Sequence, residues 1–297
     1  MKIDSRARHG IVLALGAMAC FGALDTLSKF IGSAVPVVMA MASRFLFQVV
    51  VTGGVLLPRR GRSLLVTKHP YLQAARGMLL ILSSSLAYLS LRFLPVGEFT
   101  AIVMLTPLVI TIFSATAMGE RVTVLRWLLV VGGFAGALLV IRPGAEDFTW
   151  PMLLPLTVVV ASAGYQLITS KLARVEDPLT VHFYTGCVAL LIAAAMLPFA
   201  WQTPGTVSLW LLLLGVGILG TLGHYLLILS YGRTSPATLS PYLYTQIAFA
   251  TLAGWLVFSH APDAYAVAGI LVIAGCGIAG TQQRAHAQRA RGQSAGD

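Results

Sequence analysis

The sequence predicts an all-α integral membrane protein: ten transmembrane helices, built from two inverted five-helix repeats around a central cavity. Three observations predict it. Apolar residues make up 57% of the 297-residue chain, charged residues only 10%, and mean hydropathy is +0.84, whereas a soluble domain carries about 25% charged residues to face water. Ten apolar runs follow one another, most close to the roughly 20 residues that cross the hydrocarbon core at about 1.5 Å per residue. Residue patterns of the first half return in the second, 141 or 142 positions later.

The runs lie between charge clusters and Pro or Gly breaks. The first, 9–31, follows Lys2, Arg6 and Arg8; the second, 36–57, opens at Pro36 and ends at Arg59, Arg60 and Arg62. The third, 75–93, carries Arg76 at its start, and the fourth, 96–118, follows Leu94-Pro95. The fifth, 123–141, lies between Arg121 and Arg142-Pro143, and the sixth, 150–171, ends at Ser170-Lys171. The seventh, eighth, ninth and tenth occupy 181–201, 208–231, 236–258 and 263–281, after which a basic tail begins. The apolar stretches are continuous and do not alternate at period two, which selects helices over a barrel. Short connections make neighbouring helices antiparallel.

Charge gives the orientation. With the N-terminus in the cytoplasm of a cell inner membrane, 16 of the 20 basic residues fall on the cytoplasmic side and the C-terminus joins them there, as the positive-inside rule requires. The net charge of +10 is thus a topology signal and not the footprint of a nucleic-acid partner. The exceptions are Lys29, Arg44, Arg92 and Arg142. Three of them have counterparts that obey the rule: Ser28-Lys29 with Pro36 returns as Ser170-Lys171 with Pro178, Arg92 as Arg233, and Arg142 as Arg284. Leu94-Pro95 likewise returns as Ser235-Pro236. Five helices per half is an odd number, so the second half enters the membrane from the opposite side. The expected division is a first repeat over 1–144, a second over 145–283, and a tail over 284–297. The repeat needs the first helix, so removal of a leader after Ala17-Met18-Ala19 is not expected. Two such halves supply inward-open and outward-open states of similar energy, the condition for alternating access.

Several motifs carry a family resemblance. Leu94-Pro95-Val96-Gly97-Glu98-Phe99-Thr100-Ala101, Thr106-Pro107-Leu108, Met118-Gly119-Glu120-Arg121 and Ile141-Arg142-Pro143-Gly144 resemble the first-half pattern of the EamA-type drug/metabolite transporter superfamily, as do Arg44-Phe45 and Arg76-Gly77. Ser235-Pro236-Ala237, Phe258, Pro262-Asp263 and Gly269 resemble its second-half pattern; Ser259-His260 departs from the Gly-Glu often found there. The resemblance covers nearly the whole chain and implies a ten-helix, two-repeat carrier with a small-molecule substrate. Members export amino acids and other metabolites, exchange nucleotide-linked compounds, or take up solutes.

Ionisable groups in a bilayer are costly, so each is a functional candidate. Asp25 and Lys29 stand four apart on one helix face, which suits either a mutually neutralising pair or a substrate or proton role. Arg44 lies inside the second helix, with Asp25 and Glu98 as possible mates or a substrate anion as the alternative. Tyr88, Tyr165, Gln166, His224, Tyr225, Tyr242, Tyr244 and Gln246 sit within spans, where polar atoms facing lipid would be unsatisfied, so they are expected to line the cavity or to pack in the bundle. Pro107 and Pro241 interrupt the fourth and ninth helices and free the carbonyls of Val103 and Ala237 for substrate, water or local repair. Gly132, Gly136, Gly217, Gly220 and Gly223 read as close helix packing. Cys20, Cys187 and Cys276 lie in apolar runs and read as packing residues, with no metal or cofactor role.

No Gly-x4-Gly-Lys-[Ser/Thr] or His-Glu-x2-His occurs, and the hydrophilic segments are too short to fold a catalytic domain. The expectation is export of amino acids and related small metabolites by alternating access. The alternatives are a proton-coupled drug or nucleotide-type carrier and, further off, a membrane-embedded enzyme acting on lipid. The amino-acid reading follows from a cavity of tyrosines and amides with few fixed charges, which suits a zwitterion.

Overall fold

A computed structural model describes residues 5–61, 66–106, 108–110, 124–142, 148–172, 175–233, 239 and 242–293. Ten α-helices run through the described residues: α1 Ser5–Ile31, α2 Val37–Arg60, α3 Pro70–Ser90, α4 Val96–Val103, α5 Val124–Ile141, α6 Leu154–Leu172, α7 Pro178–Ala200, α8 Val207–Tyr231, α9 Thr245–Phe258 and α10 Ala264–Gln293. Six are long and apolar enough to cross a membrane, and the segments Val96–Ile110, Trp127–Ile141, Thr245–Phe258 and Ala264–Cys276 are shorter apolar helices. The predicted all-helical, ten-helix class is the observed one.

Boundaries follow local chemistry. Pro70 takes the first position of α3, where its missing N–H costs nothing, so this helix begins five residues before its predicted start at 75. Pro178 does the same for α7, and the Asp177 carboxylate caps it by accepting from the Leu179 N–H at 2.8 Å. The helix α10 runs past its apolar stretch to Gln293, so the start of the basic tail is helical, in keeping with its Ala, Arg and Gln content. Regular helix in α4 ends at Val103, with a turn at Met104 and Leu105.

The helices are apolar nearly all round. Leu191, Leu211 and Leu256 are 69%, 62% and 71% exposed, a surface that only lipid tolerates at this density. Trp150, Trp201, Trp210 and Trp255 are also exposed and cluster towards the ends of helices, as in an interfacial aromatic belt. Buried polar side chains include Gln73, Arg76, Ser90 and Thr100.

Packing repeats under a shift of five helices. The α1–α8 contact is matched by α6–α3, α2–α8 by α7–α3, and α1–α9 by α6–α4, while α2–α7, α4–α9 and α5–α10 are their own counterparts. Both helix pairs of one such match, α3–α7 and α8–α2, are in close contact. A Cβ on Gly77 of α3 would lie 2.5 Å from Val188 of α7, and one on Gly217 of α8 would lie 2.7 Å from Phe47 of α2. Exchange of two halves with an odd number of helices is what an inverted repeat demands.

Two cores result. One joins Leu24, Met39, Phe45, Leu80, Tyr88, Tyr165 and Leu213; the other joins Leu94, Phe99, Leu105, Val140, Val158 and Ile247. The seam between them is where a polar cavity lies.

A polar cavity between the two cores

The cavity measures ≈ 160 Å³ and draws its wall from α1, α2, α3, α4, α6, α8 and α9, with residues of both cores among its lining. Its polar residues are Asp25, Ser28, Arg44, Ser83, Ser84, Tyr88, Ser162, Tyr165, Gln166, His224 and Gln246. Phe21, Phe99 and several aliphatic side chains complete the wall.

Asp25 reaches across α1 to two neighbours. Its Oδ2 accepts from Gln246 Nε2 at 3.1 Å and from Thr100 Oγ1 at 3.3 Å. Thr100 also lies 2.8 Å from the Val96 carbonyl, and its single hydroxyl proton serves one acceptor at a time. Gly22 allows this approach: a Cβ there would sit 2.9 Å from the Ala250 backbone nitrogen on α9.

Lys29 does not neutralise Asp25, as one sequence reading held. Its Nζ donates to the carbonyls of Leu91 and Leu94, both at 2.8 Å. Leu91 is the C-cap of α3 and Leu94 lies in the turn that follows, where backbone acceptors lack intrahelical donors and a cation is favourable. The acid therefore faces the cavity while the base caps a helix.

Arg44 is buried and hydrogen-bonds neither Asp25 nor Glu98. Nη1 donates to Ser84 Oγ at 3.1 Å and Nη2 meets His224 Nε2 at 2.9 Å. A guanidinium has no acceptor, so His224 accepts at Nε2 and carries its proton on Nδ1. Nε of Arg44 is buried and has no hydrogen-bond partner among the described residues. Gly220 makes room for it, since a Cβ there would stand 2.6 Å from that nitrogen.

Tyr165 links the cavity to a second buried arginine. Arg76 Nη2 donates to Tyr165 Oη at 2.7 Å, Nε to Thr169 Oγ1 at 2.7 Å, and Nη1 to the Val181 carbonyl at 3.1 Å and to Thr185 Oγ1. Tyr165 also meets His224 edge-on, with ring centroids 6.0 Å apart.

Of the predicted lining, Tyr88, Tyr165, Gln166, His224 and Gln246 come together with Asp25 and Arg44. The Tyr88 hydroxyl is spent on the carbonyls of Ile31 at 3.3 Å and Val35 at 2.8 Å. Tyr225 stands instead in a groove between α2, α7 and α8, Tyr244 in one between α9 and α10, and Tyr242 against Ile11, Ala14 and Leu239. Glu98 lies in a separate pocket of ≈ 260 Å³ with Lys29, Thr251 and His260, whose Nε2 is 3.8 Å from its Oε1. Pro107 and Pro241 fall outside the described residues. Thr106 Oγ1 donates to the Val103 carbonyl at 2.6 Å, and Thr245 Oγ1 donates to the Tyr242 carbonyl at 2.6 Å.

Residue type alone did not single out Ser83, Ser84, Ser162, Thr100 or Arg76. Serines and threonines hide in helices by bonding to their own backbone, and Arg76 read as an end-of-helix charge. Its exchange for Gly217 at the matching position of the second half was the available signal.

A ten-helix bundle of two repeated halves around a polar cavity is the fold of a membrane transporter. The sequence pattern of the EamA-like transporter family matches twice, over residues 8–142 and 149–281, and the chain belongs to that family. It resembles a riboflavin transporter of Vibrio cholerae, 32% identical over 60% of each chain. It also resembles an S-adenosylmethionine uptake transporter of Rickettsia bellii, 27% identical over 89% of this chain and 90% of that one. A pseudopaline exporter, CntI, of Pseudomonas aeruginosa is 25% identical over 91% of this chain and 95% of that one. A solved crystal structure with 21% identity and a TM-score of 0.64, covering 90% of this chain and 94% of that one, shares the fold. The protein is a multi-pass membrane transporter of small molecules and not an enzyme.

Proposed function

We propose that the chain exports amino acids and related zwitterionic metabolites by alternating access, its two repeats (1–144 and 145–283) rocking about the cavity with both chain ends in the cytoplasm. The observation that carries the substrate class is the presence of both Asp25 and Arg44 in the lining of one cavity. Each is held by neutral neighbours and neither is tied to an opposite charge by a hydrogen bond or ion pair among the described residues. A carboxylate seats on Arg44, and an ammonium seats on Asp25. Phe21 and Phe99 accept an apolar or aromatic side chain. The volume of ≈ 160 Å³ is below the roughly 300–1,000 Å³ of sites for drug-sized ligands, which favours one small metabolite.

The names of the relatives favour a second reading, a heterocycle of flavin or nucleoside type. Counterflow into liposomes separates the two. Vesicles preloaded with unlabelled compound are given labelled L-phenylalanine, other amino acids, riboflavin, S-adenosylmethionine or a cationic drug. Amino acids are expected to accumulate; Asp25→Asn and Arg44→Gln are each expected to cut uptake about 10- to 100-fold, the loss of one hydrogen bond to a charged group. Equal uptake of analogues lacking the amine or the carboxylate would sink the amino-acid reading.

A further inference from the structure

Arg76 is fully buried and is not part of the cavity wall, yet it bonds to a residue that is. Its guanidinium is all donor, so the bond to Tyr165 occupies a lone pair of the phenol oxygen and leaves the phenol's own proton uncommitted. Among the described residues that proton has no acceptor, and Tyr165 is one of the residues that line the cavity. Arg44 treats His224 in the same way: it takes the Nε2 lone pair and leaves Nδ1–H free.

A hydroxyl and an imidazole are ambivalent by themselves, since each donates or accepts as its surroundings require. Two buried arginines remove the ambivalence and make both into donors. Together with Arg44 they form a donor surface, and a cation bonded to the phenol oxygen polarises its O–H further. Asp25, bonded to α4 and α9 residues, supplies the acceptor.

Arg76 is not required by the architecture. The position 141 residues on is Gly217, which packs directly on Phe47, while the counterpart of its partner Thr185 is Arg44. The matching α3–α7 and α8–α2 contacts therefore each hold one arginine, contributed by opposite sides. One touches the cavity and the other acts one residue behind it.

We infer that Arg76 is a specificity-determining positioning residue, which commits the Tyr165 hydroxyl to donate to an anionic oxygen of the substrate. This rests on the amino-acid reading above, in which that oxygen belongs to the carboxylate. Arg76 thereby sets preference for a carboxylate over its neutral amide without touching either.

Two measurements on the full-length protein test it. Counterflow with L-phenylalanine and L-phenylalaninamide gives the ratio of their half-saturation concentrations. Tyr165→Phe and Arg76→Gln are each expected to raise the value for phenylalanine about tenfold, the cost of about one such bond, while changing that for the amide little. The double variant is expected to match Tyr165→Phe alone. A purely structural arginine would lower turnover for both compounds and leave the ratio unchanged; that result, or full additivity of the two substitutions, overturns the inference. Ultraviolet resonance Raman, taken as wild type minus Tyr165→Phe, reads the phenol doublet independently of any substrate. It is expected to show an oxygen that accepts a strong hydrogen bond, a feature lost in Arg76→Gln. A doublet showing no accepted bond in the wild type overturns the inference even if Arg76→Gln does not fold. If neither compound is carried by the wild type, the amino-acid reading falls and the carboxylate role falls with it, while the spectrum still decides whether Arg76 sets the phenol proton.

Discussion

Gly220 shows how tightly a single position governs the cavity. Any side chain there must displace Arg44 Nε, 2.6 Å from where its Cβ would lie, and the guanidinium is already fixed by Ser84 and His224. Gly220→Val is expected to raise the half-saturation concentration for a carboxylate substrate about tenfold or more, equivalent to about 1.4 kcal/mol, with the protein still inserted at wild-type levels. Counterflow beside a blot of membrane fractions checks both; unchanged affinity would mean that the guanidinium does not contact substrate. At this scale the sequence made Asp25 and Arg44 legible, because an ionisable residue within an apolar run is conspicuous. It did not reveal their partners. Lys29, four residues from Asp25, turned to the carbonyls of Leu91 and Leu94 instead, acceptors contributed by the turn between α3 and α4.

Helix pairs are decided by where backbones touch. At the α5–α10 crossing a Cβ on Gly269 would lie 2.6 Å from the Gly136 carbonyl oxygen and 3.2 Å from the Val140 nitrogen. Backbone atoms cannot rotate aside, so Gly269→Val or Gly136→Val is expected to cost about 1–3 kcal/mol of stability by overpacking. Gly54 has open space around its missing Cβ, and Gly54→Ala is expected to leave stability equal or slightly raised through helix propensity, by up to about 1 kcal/mol. Thermal unfolding in detergent, followed by circular dichroism, orders the three variants; equal melting would remove the close crossing. The glycine pattern Gly132-x3-Gly136 pointed to such packing, and a Cβ on Gly132 would indeed lie 2.9 Å from Cys276 Sγ. What the pattern lacked was the partner, which sits on the last helix rather than on a neighbour in the chain. Proline's missing donor marks Pro107 and Pro241 in the sequence, whereas the bond from Thr106 to the Val103 carbonyl depends on a rotamer.

The whole molecule must place both chain ends on one side of the membrane if ten helices thread it. Gly205, between α7 and α8, and Val66, between α2 and α3, then lie on opposite faces, and Val66 is exposed. With Cys20, Cys187 and Cys276 replaced, Gly205→Cys is expected to react with an impermeant maleimide in intact cells and Val66→Cys only after permeabilisation. Reversed labelling would invert the topology, and labelling of both from one side would break the ten-span threading.

Sequence by itself determined the number and order of the spans and the equivalence of the two halves. Those properties depend on apolar length, on charge placed at span ends, and on spacing along the chain, which one dimension records. Only the tertiary structure decided which residues share the cavity. Helices in lipid are apolar towards both the membrane and the core, so periodicity carries little contrast and does not fix rotation about the axis. Tyr165 and Tyr225 looked alike as mid-span aromatics; packing turned one to the cavity and the other to a lateral groove. Arg76 likewise became informative only when α6 and α7 closed around it, because a hydrogen bond is specified by positions in space and not by distance along the chain.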